Sequence, residues 1–373
     1  MMKRTHGFTL IELMVAVALG LLSTLVISTV FLQSEGNKRT TTSGSDAQVS
    51  GALALYAMQR DLQMAGYGLS AMPSAVGCPT TAQSSGAAVL TSVPLVPVSI
   101  SFGAGTASDS VTVFYSQGAS GYSVPLKVSV DHASTDGSFT VPSTWGVATN
   151  DLMVVAPAAW AAGTKECTLF QATSSASDST TQIQNAASSA WNTTLSSIMP
   201  ATGYPAGSAL LNLGGSPVRR VYSVNTGTWT LQGQELGGAA RDLFPQIVLL
   251  KALYGKATTV GGPVESYDAN TPSTNEGWRF VQAIRIVIVA RSTQREDLNN
   301  GAVTPVANIP ATGNPTGLVW DVGPLATVPT AVPCKTSSKC VELDVSASDA
   351  NWGYYRYKVY DTVVPLRNTL WNQ

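Results

Sequence analysis

The chain has 373 residues, of which 44 % are hydrophobic and only 12 % are charged, and its formal net charge is -1. This length can bury a large core, in one big or two modest domains. The near-neutral balance without a long basic run gives no electrostatic basis for non-specific DNA or RNA binding, so no nucleic acid is expected as a partner. Few charges with abundant Ser, Thr, Ala, Gly and Pro are typical of an exported, β-rich protein rather than a cytosolic enzyme.

The chain begins with a basic leader that ends at Gly7, followed by an apolar run over residues 8–32 that contains Glu12. As a helix these 25 residues would be about 37 Å long, more than the ~30 Å of hydrocarbon in a bilayer. No small-residue cleavage pattern follows Leu32, which argues against an ordinary secretory signal. A plain membrane anchor would avoid a carboxylate, because an acid costs about 2.5 to 3.5 kcal/mol at the centre of a spanning helix.

The run Gly7-Phe8-Thr9-Leu10-Ile11-Glu12 resembles the class III signal of type IV pilins and the related pseudopilins. This resemblance implies that a prepilin peptidase cleaves between Gly7 and Phe8 and methylates the amino group of Phe8. It further implies that Glu12 sets the filament register by pairing with the cationic N-terminus of a neighbouring subunit. Two groups that are each costly to bury alone would then be buried as a pair.

The expected organisation is a leader at 1–7, an apolar transmembrane and filament-core helix at 8–35, an amphipathic continuation at 36–68 and a β-rich globular domain at 69–373. The polar stretch 36–44 contains Gly36 and Gly44 and predicts a loosening of the helix. A stripe at helical spacing follows, and Gly66-Tyr67-Gly68 predicts its end. The stripe is formed by Leu55, Met58, Leu62 and Ala65, widened by Leu53 and Tyr56.

Apolar runs and turn residues from Pro73 onward predict an antiparallel sheet. The predicted strands cover 96–102, 111–115, 152–156, 218–224, 280–290, 341–345 and 355–359. The run 280–290 is apolar on both faces, so we expect a central strand there. In 242–254 the spacing of Ile247, Leu250 and Tyr254 favours a short helix, although Val248 and Leu249 also permit a strand.

Two polar segments are predicted to be loops. Residues 172–197 are mostly Ser, Thr and Ala, which predicts a long surface insertion or mobile loop. Residues 265–277 carry several oxygen donors but lack the spacing of a calcium loop, so a solvated loop is favoured over a calcium site.

The four cysteines are expected to form disulfides, since the basic leader would leave them on the exported side of a membrane. Three connectivities exist, and the short loop between Cys334 and Cys340 favours a local pair that leaves Cys78 to Cys167. Zinc is disfavoured, because no Cys-x2-Cys pair occurs and His132 is the sole histidine outside the leader.

Two segments resemble the PilW family of minor pilins: Arg60–Gly68 at the end of the long helix and Tyr355–Asn368 near the end of the chain. The resemblance implies an α+β, type IV pilin-like fold, with the helix packed on antiparallel sheet and an enlarged β-rich region. It implies an accessory subunit that primes pilus assembly near the tip, with other minor pilins, the major pilin and a PilY-type tip adhesin as partners. A J-type minor pseudopilin of type II secretion and a membrane-tethered adhesive module are the alternatives.

The sequence predicts no enzyme and no cofactor. It contains none of the Gly-x-Ser-x-Gly, P-loop or dinucleotide-binding patterns, and His132 stands alone as a general base. The acids Asp109, Asp131 and Asp151 are expected to be solvated turn residues.

Overall fold

The computed structural model describes residues 9–69, 72–117, 125–160, 166–295, 318–335 and 337–370. Helix α1 spans Leu10–Met64 and dominates the N-terminal part. Three short helices follow much later, and they are α2 (Leu195–Ile198), α3 (Asn275–Arg279) and α4 (Arg367–Leu370). The other described regular structure is β-strand with a few 3₁₀ turns, so the chain is α+β with a long N-terminal helix, as expected.

The strands form five sheets. In chain order they are β1 (Pro79–Ser84), β2 (Ala87–Pro94), β3 (Val98–Ser101), β4 (Ser110–Tyr115), β5 (Leu126–Lys127), β6 (Ser138–Thr140), β7 (Leu152–Ala156), β8 (Cys167–Gln171), β9 (Gln182–Gln184) and β10 (Ala209–Gly214). They continue with β11 (Val218–Asn225), β12 (Thr230–Gln234), β13 (Ala240–Pro245), β14 (Ile247–Lys256), β15 (Ser266–Asp268), β16 (Val281–Arg291), β17 (Val319–Asp321), β18 (Ala331–Lys335), β19 (Ser338–Glu342) and β20 (Tyr357–Pro365).

The sheet orders are β2-β1-β8-β7-β10-β5, β13-β12-β11-β4-β3, β15-β14-β16-β20, β17-β19-β18 and β6-β9. Among the described strands, neighbours are antiparallel except for β1 and β8, which are parallel. The sheets are named below by their numbers of strands.

The four-stranded sheet is covered on both faces. One face packs with α1 and the five-stranded sheet, and the other packs with the three-stranded sheet. This position explains β16, whose Ile284, Ile286 and Ile288 face the first core while Val287 and Val289 face the second. The predicted central strand is therefore confirmed.

The short helix expected within 242–254 is wrong. That segment holds the end of β13 and most of β14, which pairs along its length with β16. Ile247, Leu250 and Tyr254 face the α1 side, whereas Val248, Leu249 and Leu253 face the three-stranded sheet. A strand buried on both faces loses its polar alternation, so periodicity alone does not separate it from a helix.

The six-stranded sheet has a core on each face as well. In β7, Leu152, Val154 and Ala156 pack on one side, and Met153 and Val155 pack on the other. The second core takes in β6, β9 and α2. The expectation of a loose loop at 172–197 is therefore wrong: β9 lies within it, and Ile183 and Leu195 are buried. A few large apolar residues are enough to hold this segment on the sheet, because they are buried in the core.

Helix α1 is continuous through 36–44, so the expected loosening is wrong. Extending an existing helix through a polar stretch is much easier than starting a new one, and each glycine costs only about 1 kcal/mol. The helix ends as predicted, with Gly66 and Gly68 in the left-handed region at φ +80° and +81°.

Two members of the predicted stripe of α1 are exposed, and a third, Leu55, is only partly buried. Ala47, Ala54, Met58, Leu62 and Ala65 are buried. Leu53 and Tyr56 are exposed, at 51 % and 65 %. At about 100° per residue they lie roughly 140° and 160° around the helix from Met58, so the expectation that they widen the buried stripe is wrong.

Candidate functional site

The first half of α1 extends away from the sheets with its apolar side chains exposed. Leu10 and Ile11 are 77 % and 74 % exposed, and Phe31 and Leu32 at the other end are 67 % and 71 % exposed. The helix is long and apolar enough to cross a membrane. Apolar surface on this scale needs either lipid or the apolar helices of other subunits.

Three hydroxyls of this half, on Ser23, Thr24 and Thr29, donate to backbone carbonyls of the same helix. Ser23 Oγ donates to Leu19 O at 2.8 Å, and Thr29 Oγ1 donates to Val26 O at 2.8 Å. Hydroxyls bonded in this way are tolerated in apolar surroundings, because no free donor remains. Glu12 is the sole ionisable residue between positions 9 and 32.

Glu12 belongs to a capping box at the start of α1. Its backbone N–H donates to Thr9 Oγ1 at 3.3 Å, and its Oε2 accepts from the Thr9 N–H at 3.4 Å. This contact holds the carboxylate at the positive end of the helix dipole, where a negative charge is favoured. The predicted processing residues Gly7 and Phe8 lie outside the described residues.

The second half of α1 touches the sheets closely at Gly51. A Cβ at this position would lie 2.3 Å from Cε2 of Tyr360 on β20 and 3.0 Å from Cβ of Ala290 on β16. The Tyr360 hydroxyl donates to Gln48 O at 2.9 Å, one turn earlier in the helix. Glycine is therefore required for helix and sheet to approach this closely. Sequence reasoning missed Gly51, although a glycine inside a predicted amphipathic helix signals a packing role.

The C-terminal segment that resembles the PilW family closes the end of the helix. Asn368 Nδ2 donates to Met64 O at 3.1 Å and to Ala65 O at 3.0 Å. These carbonyls have no partner inside the helix, so Asn368 acts as a C-terminal cap supplied by a distant part of the chain. Leu366 is buried in the core beside it.

The other segment that resembles PilW, around Asp61, holds the helix to the five-stranded sheet. Asp61 is 8 % exposed and accepts from the Tyr222 hydroxyl at 2.7 Å, from Arg220 and from the Tyr115 hydroxyl at 3.4 Å. Arg220 also pairs with Glu235 at 2.6 Å. Burial is the main cause that raises the pKa of Tyr115, and the neighbouring Asp61 carboxylate raises it further. The donors surround the carboxylate, as a buried charge requires.

Both expected disulfides are present. Cys78–Cys167 joins the segment after the helix to β8, and Cys334–Cys340 links β18 to β19. The Asp321 carboxylate lies near Cys334 and Cys340, but sulfurs in a disulfide are not thiolate ligands for a metal.

Two of the three acids expected to be solvated are buried. Asp109 is 3 % exposed, pairs with Lys251 at 3.2 Å and accepts the Ala252 N–H, while burial raises its pKa. Asp151 is 7 % exposed and accepts from Asn212 Nδ2 at 2.8 Å. Asp131 is exposed, as expected. An acidic turn residue can be buried when neighbouring segments supply hydrogen-bond donors to its carboxylate. The sequence does not show which segments will lie next to it.

The segment 265–277 is partly regular rather than a solvated loop. It contains β15 and the start of α3, and Asp268 is bonded to Lys256 Nζ at 2.9 Å. Asn275 donates to Pro73 O at 2.7 Å, well away from Asp268 along the segment. Asp268 and Asn275, two of the residues that suggested calcium, therefore serve structural contacts.

The geometry of a long apolar helix attached to antiparallel sheet defines a type IV pilin-like, prepilin-type protein. The model of the prokaryotic N-terminal methylation motif matches residues 2–28, which include Glu12. The model of PilW, type IV pilus-assembly protein W, matches residues 218–368 and thus β11 to β20. The resemblance to the PilW family is confirmed over residues 218–368, and the resemblance to the prepilin-type signal is confirmed over residues 2–28. No curated protein and no solved structure matches the chain.

The PilW family consists of structural pilus components rather than enzymes, and its members interact with other pilus components. The methylation motif together with the long apolar helix indicates membrane anchoring.

Proposed function

We propose that this protein is a minor pilin that primes assembly of a type IV pilus and is incorporated near its tip, supporting pilus-based twitching motility and adhesion. The observation that carries the proposal is the exposed apolar half of α1 with its single carboxylate. Its partners are other minor pilins, the major pilin and a PilY-type tip adhesin. Before assembly the protein lies in the inner membrane with its globular part outside the cytoplasm, and afterwards at the cell surface.

Processing releases the charge that Glu12 needs. A prepilin peptidase cuts between Gly7 and Phe8, and the new amino group of Phe8 is methylated but keeps its positive charge. In the isolated chain Glu12 is held by its own first turn through two long hydrogen bonds. A cationic N-terminus from a neighbouring subunit is a stronger partner than a neutral N–H, since it adds the attraction between two full charges in apolar surroundings.

The first test replaces Glu12. Glu12→Ala should give a processed membrane protein whose incorporation into pili is lowered, measured by immunoblots of sheared pili. Ser23→Ala, in the same apolar helix, is the matched control, because its hydroxyl is bonded internally. Incorporation of the Glu12→Ala variant at the wild-type level would contradict the registration role.

A second test addresses processing and the system served. Mass spectrometry of the mature protein should find a chain that starts at methylated Phe8, and an intact start at Met1 would refute prepilin processing. Deletion should reduce piliation. A loss of type II secretion with normal pili would favour the pseudopilin alternative, and normal pili without the protein would favour the tethered module.

A further inference from the structure

A polar groove lies in the part of the chain that precedes the PilW match. Its walls are the loop 134–137 before β6 and the segment 185–196, which runs from β9 into α2. The cavity measures about 260 Å³ and contains no residue of α1. Its lining includes Thr135, Asp136, Asn185, Ala187, Thr193 and Ser196.

The groove walls are fixed by buried amides. Asn192 is 2 % exposed, and its Nδ2 donates to Gln171 O at 2.8 Å and to Ala186 O at 3.1 Å. The Asn185 N–H donates to Gly137 O at 2.9 Å, which joins the two walls. A site held in place before binding loses less entropy when a ligand arrives.

Hydrogen-bonding capacity is left over along this groove. Asn185 is 5 % exposed, and its Nδ2 donates to Asp136 O at 3.2 Å, but its buried Oδ1 has no partner among the residues that the structure describes. Asp136 Oδ2 accepts the Ala133 N–H at 2.8 Å, and within the described residues no hydrogen bond engages its Oδ1. The hydroxyls of Thr135 and Ser196 line the groove and are exposed. Because Asn185 Oδ1 is itself covered, the groups that a ligand in the groove can reach are those of Asp136, Thr135 and Ser196.

The available groups match alcohols rather than ions. Hydroxyls both donate and accept hydrogen bonds, and carboxylates accept them. A side-chain amide donates through its nitrogen and accepts through its oxygen. Together these groups suit a ligand that carries several hydroxyls. Residues 125–217 contain two lysines, five acids and no arginine, which disfavours phosphate, sulfate or other anionic groups. The groove lining has no aromatic side chain to anchor an apolar peptide.

We propose that this groove binds a neutral saccharide. The hydroxyls of the sugar donate to Asp136 and exchange hydrogen bonds with Thr135 and Ser196, while its C–H face packs on Ala187. The site goes beyond the proposed assembly function, because no residue of the apolar helix takes part in it. It gives the globular part a ligand of its own.

The test uses the full chain in detergent micelles, applied to arrays of neutral oligosaccharides, sialylated and sulfated glycans, and extended peptides. Ala187→Trp fills the groove, and Ala190→Trp is the matched control, since Ala190 is exposed nearby but does not line it. Asp136→Asn is a milder variant of the same shape. We expect binding to neutral saccharides that weakens at least tenfold in Ala187→Trp, weakens in Asp136→Asn and persists in Ala190→Trp.

Several results would overturn the proposal. They are no binding to any neutral saccharide, binding that Ala187→Trp and Asp136→Asn leave unchanged, binding confined to anionic glycans, or groove-dependent retention of a peptide instead. Incorporation of Ala187→Trp into sheared pili is measured separately. A failure of saccharide binding with normal incorporation leaves the assembly function intact.

Discussion

Removing the Asp61 carboxylate should loosen the attachment of α1 to the five-stranded sheet. Asp61→Ala leaves the buried Tyr222 hydroxyl without its carboxylate partner and removes one of the two carboxylates that Arg220 contacts. An unsatisfied buried group costs about 1 to 3 kcal/mol, and a hydrogen bond to a charged group contributes about 1.5 to 3 kcal/mol. Arg220 keeps its contact with Glu235, and its side chain is 29 % exposed. The free energy lost with the Arg220–Asp61 contact therefore lies at the lower end of this range.

The expected total is a loss of about 3 kcal/mol in the free energy of unfolding. With a urea m-value of about 3 kcal/mol/M, the midpoint falls by about 1 M. The assay is urea unfolding of the full chain in detergent, followed by tryptophan fluorescence. Asp61→Asn keeps one acceptor oxygen for Tyr222, so its midpoint should lie between those of wild type and Asp61→Ala.

Asp242→Ala is the control. Asp242 is an exposed aspartate on β13 of the five-stranded sheet, and its carboxylate accepts hydrogen bonds from Thr230 and Gln232. Its loss should leave the midpoint unchanged. A midpoint for Asp61→Ala equal to that of Asp242→Ala would refute the reasoning, since the buried carboxylate would then contribute no more than a surface one.

Three further predictions concern stability. Gly44→Ala should raise the free energy of unfolding by up to ~1 kcal/mol, because a Cβ at Gly44 meets no atom within 4 Å. Gly51→Ala should lower the free energy of unfolding through the clash with Tyr360 on β20, and equal effects of the two substitutions would contradict the close approach. Replacing Cys78 and Cys167 by Ser opens a loop of 89 residues and should cost up to about 4 to 5 kcal/mol in the same assay, which an unchanged midpoint would refute. Burial lowers the pKa of His132, so its contribution to stability is complete above the unfolded pKa of about 6.5 and falls as the pH drops toward the folded pKa. The difference in unfolding free energy between wild type and His132→Phe should therefore change between pH 7 and pH 5, and a constant difference would contradict this.

The errors made from sequence have a common physical origin. A short helix is predicted in 242–254 because a strand that is covered on both faces shows no alternation of apolar and polar residues. The layers that cover it come from distant parts of the chain. Asp109 is expected in water because the Lys251 that neutralises it is 142 residues away. The segment 172–197 looks loose because its apolar residues are few, and their positions at the core are fixed by β6 and the six-stranded sheet.

The sequence by itself determined the features that depend on local composition and spacing. These are the apolar helix with its lone Glu12, the helix end at Gly66, a minority of the strands, including the central β16, and the pairing of the four cysteines. Only the tertiary structure decided which helix face is buried, why Gly51 must lack a side chain, what surrounds Asp61 and how Asn368 caps the helix. Each of these depends on groups that lie 54 to 312 residues apart, and such contacts leave no periodic trace in the sequence.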